Sequence, residues 1–168
     1  MPVIVDGNNL LHFARQAEQE GPLLGRSLLC HKLGQWAQRR KERVHVVFDG
    51  PAPNRELAAQ ISGPIIQVSY SGSRTADAVL KSILENDSAA RRLLVVSSDR
   101  EIARAAKRRR AQVMRSDEFW ALVRLDLARP MPERVEPPEK WAGLEPAATD
   151  HWLREFGFQG PGQVADQD

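Results

Sequence analysis

The stretch Val3-Ile4-Val5-Asp6-Gly7-Asn8-Asn9 decides the fold of this chain. Its three apolar residues are typical of a short buried strand, and the periodic apolar positions between Leu10 and Ala14 predict a helix directly after it. A carboxylate at the point where a buried strand gives way to a helix lies where open α/β sheets bind ligands. Asp6 is therefore the first candidate site residue.

Short apolar runs and longer helical patterns alternate along the chain. Strands are predicted at residues 3–5, 44–48, 65–70, 93–97 and 112–114, and helices at 9–19, 24–40, 75–85, 99–109 and 116–128, with a shorter helix at 55–60. Most of the strands are almost continuously apolar, as in parallel sheets that helices cover on both faces. The order of elements therefore predicts an α/β fold of three layers, α/β/α, around a central parallel sheet.

A different kind of sequence follows residue 128. Residues 129–138 are rich in proline and acidic residues and predict a linker, and residues 146–156 predict a short amphipathic helix. Residues after Gly160 have the composition of a disordered tail. The predicted organisation is an α/β domain at 1–128 and, at 129–168, a linker with a short helical C-terminal tail.

Composition excludes several classes of protein. Apolar residues make up 42% of the 168 positions and charged residues 27%, which is ordinary for a soluble globular protein. No run approaches the roughly 18 apolar residues of a membrane span, and the immediate start of a strand argues against a signal peptide, so a cytoplasmic location is expected. Cys30 is the single cysteine, which excludes disulfides and cysteine-based zinc sites.

The charges are divided unevenly along the chain. Residues 1–116 hold 19 Lys and Arg against 11 Asp and Glu, a net charge of +8, whereas residues 117–168 hold 5 against 11, a net charge of −6. A basic body that encloses an acidic pocket suits a polyanionic substrate such as nucleic acid.

Three further aspartates occupy element ends comparable with that of Asp6. Asp49 follows a predicted strand, Asp77 lies in Thr75-Ala76-Asp77, and Asp99 follows Val95-Val96-Ser97-Ser98. Two carboxylates about 4 Å apart repel by roughly 4 kcal/mol at an effective dielectric constant of 20, so such a cluster needs protons or a cation. Mg²⁺ suits it, because this ion takes one or two carboxylates and keeps several waters.

Each aspartate also has a structural alternative. Asp6 and Asp49 precede glycines and would suit turns. Asp77 would favour the first turn of a helix that Thr75 caps, and Asp99 would do the same beside Ser98, which forms a capping-box pattern with Glu101.

Two basic segments are candidates for contacts with phosphates. Arg74 stands in a flexible loop just before Asp77, and a cationic run ends the fourth long helix. Both are predicted to flank the acidic residues and grip a substrate, with a solvated helix end as the alternative for the run. The run consists of Lys107, Arg108, Arg109 and Arg110.

Taken together, these motifs resemble the NYN branch of the PIN-like ribonucleases, and most closely its YacP-like group. The resemblance covers about residues 1–127, with the motifs in family order. It rests on Val5-Asp6-Gly7-Asn8-Asn9, Val47-Phe48-Asp49-Gly50, Thr75-Ala76-Asp77, Ser97-Ser98-Asp99-Arg100 and Ser116-Asp117-Glu118-Phe119.

The resemblance implies a function and a site. It implies a parallel sheet between helices, dependence on Mg²⁺ or Mn²⁺, and endonucleolytic cleavage of RNA, with translation-associated RNA, and hence the ribosome, as an expected partner. Carried over to this chain, it assigns catalysis and metal binding to Asp6, Asp77 and Asp99. Further roles fall to Asp49 at the metal and to Asn8, Asn9 and Ser98 in support.

Two departures from the family pattern leave alternatives open. Asn8 stands where the YacP-like pattern usually has an aromatic residue, and Ala78 replaces the acid that commonly follows Asp77. The lost carboxylate weakens the case for two metals and keeps open an RNA-binding module without turnover. Phosphoryl transfer through Asp6 as an aspartyl nucleophile is a third interpretation. That chemistry usually needs a second acid two residues later, where this chain has Asn8.

Overall fold

The computed structural model describes residues 1–17, 24–53 and 62–130. The five strands are β1 (Val3–Asp6), β2 (Val44–Phe48), β3 (Ile66–Tyr70), β4 (Leu94–Val96) and β5 (Gln112–Met114). The helices of more than one turn are α1 (Gly7–Ala17), α2 (Arg26–Arg40), α3 (Ala76–Asn86), α4 (Arg100–Arg108) and α5 (Ser116–Ala128), and a short 3₁₀ helix, Ala90–Arg92, precedes β4. The helices predicted at 55–60 and 146–156, the end of the first helix at 18–19 and the tail lie outside the described residues.

The strands form one parallel sheet in the order β3-β2-β1-β4-β5. β1 is central, since Val5 pairs with Val46 of β2 on one side and with Val96 of β4 on the other. The chain moves outward from β1 to β3 and then returns to the other side of β1 through β4. Strand order therefore reverses between β1 and β4, and this switch point is where open α/β sheets bind ligands.

Alternate side chains of the strands build two apolar layers. Val3 and Val5 pack with the buried faces of α1, α2 and α5. Ile4 faces the opposite way and packs with α3 and α4. Burial on both faces explains why the inner strands β1, β2 and β4 are nearly continuous apolar runs, whereas the edge strands β3 and β5 include the exposed Gln67 and Gln112. The three-layer α/β/α arrangement predicted from the sequence is thus confirmed.

The two glycines that follow aspartates serve different physical needs. A methyl group on Gly7 would lie 2.5 Å from Cε1 of Phe48 and 2.9 Å from Cγ1 of Val46, so glycine permits α1 to start against β2. Gly50 has φ +88°, a left-handed conformation that favours glycine after β2. The predicted role in a turn therefore applies to Gly50, whereas Gly7 is required by close packing.

Candidate active site

Four aspartates lie at the carboxyl-terminal edge of the sheet. Asp6 is the last residue of β1, Asp49 follows β2, Asp77 lies in the first turn of α3, and Asp99 is the N-cap of α4. We call these four side chains the acidic rim. Because all strands are parallel, the residues that end them and begin the next helices meet at one edge, as predicted.

Asp6 is the most deeply placed member of the rim. Only 6% of its surface is exposed, and its carboxylate accepts hydrogen bonds from the backbone N–H of Asn9 (3.1 Å) and from Oγ of Ser97 (3.1 Å). Burial raises the pKa of Asp6, and the charges of Asp77 and Asp49 raise it further, although the two hydrogen bonds oppose the change. A cation beside this carboxylate would relieve both effects.

Asp49 connects three elements at the surface of the rim. Its Oδ1 accepts from the backbone N–H of Ala76 at 2.6 Å, and its Oδ2 accepts from Nδ2 of Asn8 at 2.9 Å. Arg26 donates to the backbone oxygen of Asp49 at 3.2 Å and lies over the ring of Phe48 at 5.1 Å. Asp49 therefore holds the start of α3 against the end of β2, and Asn8 positions it.

Asp77 is partly buried, and no donor within the described ranges bonds to its carboxylate. Partial burial raises the pKa of Asp77, and the negative charges of Asp99, Asp49 and Glu101 add to this effect, whereas Lys81 opposes it. The helix itself is capped by Thr75, whose hydroxyl accepts from the backbone N–H of Ala78 at 3.2 Å. The carboxylate of Asp77 does not cap the helix and is therefore available for another role.

Asp99 caps α4, a role that the sequence analysis predicted for the neighbouring Ser98. Its Oδ1 accepts from the backbone N–H groups of Glu101 (2.6 Å) and Ile102 (3.2 Å), so Asp99 caps α4. The capping box predicted between Ser98 and Glu101 is wrong, because the hydroxyl of Ser98 accepts from the backbone N–H of Ser116 instead. Asp99 keeps its second carboxylate oxygen for the rim.

Asn9 and Ser98 hold the rim together from below. Oδ1 of Asn9 accepts from the backbone N–H of Ser98 at 3.1 Å and from Oγ of Ser116 at 2.7 Å. These bonds tie the first turn of α1 to the turn after β4 and to the start of α5. Oδ1 of Asn9 and the hydroxyl of Ser98 are therefore engaged in contacts that position the neighbouring elements.

The fit of a divalent cation is decided by the free oxygen atoms. Across the described residues, no three His, Cys, Asp or Glu side chains gather into a ready-made metal cage. Mg²⁺ does not need one, because it is commonly held by one or two carboxylates with waters in its other positions. Asp77 accepts no hydrogen bond from the described residues, and each oxygen of Asp6 accepts only one of the two it has lone pairs for. The rim therefore fits a largely hydrated cation.

Only one of the two predicted basic segments lies at the rim. Arg74 precedes α3 at this edge, where its Nη2 donates to the backbone oxygen of Ala78 at 3.2 Å. The prediction that residues 107–110 flank the acids is wrong. Helix α4 runs from the rim to the opposite edge of the sheet, and nine residues span about 13 Å. The displaced residues are Lys107, Arg108, Arg109 and Arg110.

Three positioning residues could not be identified as such from the sequence. Ser97 donates to Asp6 and accepts from the backbone N–H of Asp99 at 3.1 Å, so it joins two rim acids. Arg26, in α2, donates to the backbone oxygen of Asp49, and Ser116, in α5, donates to Oδ1 of Asn9. Ser97 and Ser116 stand in motifs that carry the family resemblance, whereas nothing in the sequence around Arg26 marks it.

Comparison with known proteins agrees with this architecture. A profile of the YacP-like NYN domain matches residues 3–137. The crystal structure of Rae1 (YacP) from Bacillus subtilis superposes with a TM-score of 0.59 at 22% identity, covering 94% of this chain and 92% of that one. The crystal structure of a point mutant of the same Bacillus subtilis protein gives 0.56 at 18% identity, covering 96% and 86%. No curated protein sequence matches significantly.

The parallel sheet between two helical layers is a three-layer α/β/α fold of the PIN-like class. Within that class, the chain belongs to the YacP-like NYN domain family. Across the part of the chain that the structure describes, no helix is long and apolar enough to cross a membrane.

Proposed function

We propose that this protein is a cytoplasmic endoribonuclease that depends on Mg²⁺ or Mn²⁺ and hydrolyses phosphodiester bonds at the acidic rim, on translation-associated RNA. The observation that carries the proposal is the electrostatic strain of the rim. Burial and like charges raise the pKa values of both Asp6 and Asp77 at the switch point of a PIN-like nuclease fold. Such shifts in a group of carboxylates are typical of functional sites.

The roles of the side chains follow from their contacts. Asp6 and Asp77 would hold the cation, since their oxygens keep free acceptor capacity, while Asp49 and Asp99 add negative charge and fix the flanking helices. When bound, the cation supplies neutralisation of the charge that develops on the phosphate and a more acidic water. Asn8, Asn9 and Ser98 keep the acids in place.

Hydrolysis adds the oxygen of water to phosphorus and breaks the bond from phosphorus to the leaving ribose oxygen, which takes a proton. Asp77 is suited to accept the proton of the attacking water, because no donor in the described ranges bonds to its carboxylate. Arg74 is the cation at this edge that can bind a non-bridging phosphate oxygen.

Cleavage of RNA tests the proposal directly. Purified protein is incubated with structured and with unstructured RNA in Mg²⁺, in Mn²⁺ and in excess EDTA, and the cut ends are mapped. Cleavage within the chain that depends on the metal and disappears in Asp77→Asn is the expected result. Cleavage that survives EDTA, or that persists unchanged in Asp77→Asn, would overturn it.

An RNA-binding module without turnover is the second candidate. It is favoured by Ala78, which replaces a family acid, and by the lack of a three-ligand cage among the described side chains. In that case RNA would bind, but no metal would yield cut ends.

A further inference from the structure

A cavity lined by arginines lies at the edge of the sheet opposite the acidic rim. Its volume is about 600 Å³, and apart from arginines only small serine and alanine side chains line it. Arg91 and Arg92 belong to the segment before β4, and Arg108, Arg109 and Arg110 end α4 and lead to β5. We call this site the arginine cavity.

Four of the five arginines keep their donors for a ligand. Arg109 donates to the backbone oxygens of Leu84 (3.1 Å) and Asp87 (2.8 Å) and so anchors the wall on the end of α3. In the described part of the chain, no acceptor bonds to the other four guanidinium groups, and all four residues are exposed. They are Arg91, Arg92, Arg108 and Arg110.

The lining selects a class of ligand. Guanidinium groups match the oxygens of phosphates, each offering a planar fork of donors. The serine and alanine residues between them provide no aromatic or large apolar surface for a nucleobase. A single phosphate group carries at most about two negative charges and cannot balance so many arginines, whereas a chain of phosphates can. The cavity therefore suits a polyanionic backbone.

Exposed cations connect this cavity to the acidic rim. Arg100, Arg104, Lys107 and Arg108 are exposed on α4 at spacings of four, seven and eight residues, so they share one face of the helix. The stripe begins beside Asp99 and ends in the cavity. Glu101 borders it, but its carboxylate is bonded to Nζ of Lys81 at 2.7 Å.

We propose that this stripe and the arginine cavity form a track for the phosphate backbone of RNA, so that a strand cut at the acidic rim is also held at the opposite edge. The inference rests on the proposed function for the identity of the polymer and deepens it. It follows that affinity depends on RNA length, because only a longer strand contacts both the whole stripe and the cavity.

The double variant Arg91→Gln/Arg108→Gln tests the track, with Arg43→Gln/Arg124→Gln as a control that removes two exposed charges elsewhere. Affinity is measured by fluorescence anisotropy in EDTA, with RNAs of about 4 and about 16 nucleotides. The track variant should bind the longer RNA more weakly than the control does, and the wild type should bind the longer RNA more tightly than the shorter one. The variant should also be less sensitive to salt, because it loses two phosphate contacts and the counterion release that goes with them. Between roughly 50 and 200 mM salt, the affinity of the wild type for the longer RNA should fall about sevenfold more than that of the variant.

Equal binding of the longer RNA by the track variant and the control would overturn the inference, as would equal affinity of the wild type for both RNA lengths. Competition by inorganic tripolyphosphate as strong as that of the longer RNA, at equal phosphate concentration, would instead identify a site for small anions and would also overturn it. The assay needs no cleavage, so the two proposals fail separately. A protein that binds through the track but never cuts RNA refutes only the nuclease.

Discussion

Replacing Asp6 by asparagine is expected to stabilise the metal-free protein and to abolish its stabilisation by Mg²⁺. Asparagine can keep both hydrogen bonds of Asp6, since its oxygen accepts from Asn9 and its amide donates to Oγ of Ser97. What it removes is a buried charge that Asp77 and Asp49 repel. Removing this repulsion together with the cost of burying a charge should stabilise the metal-free protein by on the order of 1 kcal/mol.

The pH dependence of this gain follows from the sign of the shift. The pKa of Asp6 is raised in the folded state above its ordinary value of 3.8, so ionisation costs stability as the pH rises through the folded-state value. The gain of Asp6→Asn should therefore be full at neutral pH and vanish below pH 3.8. Bound Mg²⁺ should favour the wild type over the variant, because a ligand at about 100 times its Kd stabilises the protein that binds it by about 2.7 kcal/mol.

Thermal unfolding at several pH values, with EDTA or with Mg²⁺, measures both effects. A change of 1 kcal/mol corresponds to about 2 to 4 °C for a protein of this size. Glu85→Gln, at an exposed position near the end of α3 that lies away from the rim, is the control and should respond to Mg²⁺ like the wild type. Loss of stability in metal-free Asp6→Asn at neutral pH, or an unchanged response of this variant to Mg²⁺, would refute the account of the rim.

Two further substitutions test the scaffold. Gly7→Ala should destabilise the protein by about 1 to 3 kcal/mol, because the added methyl group would overlap Phe48. Gly34→Ala is the control and should be neutral or stabilising, since the nearest atom to its methyl group lies 3.7 Å away. Urea unfolding that ranks the two variants the other way would contradict the packing. Asp126→Ala should cost about 1 to 3 kcal/mol at neutral pH, because it strands the indole N–H of Trp36. Burial alone would raise the pKa of Asp126, but the hydrogen bonds from Arg40 and Trp36 lower it overall. The stabilisation that the ionised carboxylate provides is therefore present above pH 3.8 and is lost in acid. A cost of Asp126→Ala that is the same at every pH would contradict this explanation.

The fold could be predicted from the sequence because its inner strands are buried on both faces. Continuous apolar runs such as Val44–Phe48, separated by helical patterns, leave few alternatives to a parallel sheet between helices. The acidic rim followed from the same rule, since residues that follow parallel strands share an edge. Boundaries moved by up to two residues where a local feature decides them, as at Gly7, where close packing lets α1 begin directly after β1.

The rest of the site depends on contacts between distant segments. The bonds of Asn9 to Ser98 and Ser116, and of Arg26 to Asp49, join residues far apart in the chain, and composition and spacing carry no trace of them. Residues 107–110 follow Asp99 closely in the chain but lie far from it in space. A helix between parallel strands carries its C-terminus to the opposite edge.

The rate of RNA cleavage per bound enzyme shows whether the carboxylate of Asp6 takes part in catalysis. Single-turnover cleavage in Mn²⁺ is measured for the wild type and for Asp6→Asn at protein concentrations that saturate the RNA, so that differences in binding do not enter. Loss of a metal-binding carboxylate should slow the wild-type rate by at least about 100-fold while RNA affinity is unchanged or higher, since a negative charge has been removed. Equal rates for the two proteins, or no cleavage by the wild type in any divalent metal, would contradict the account.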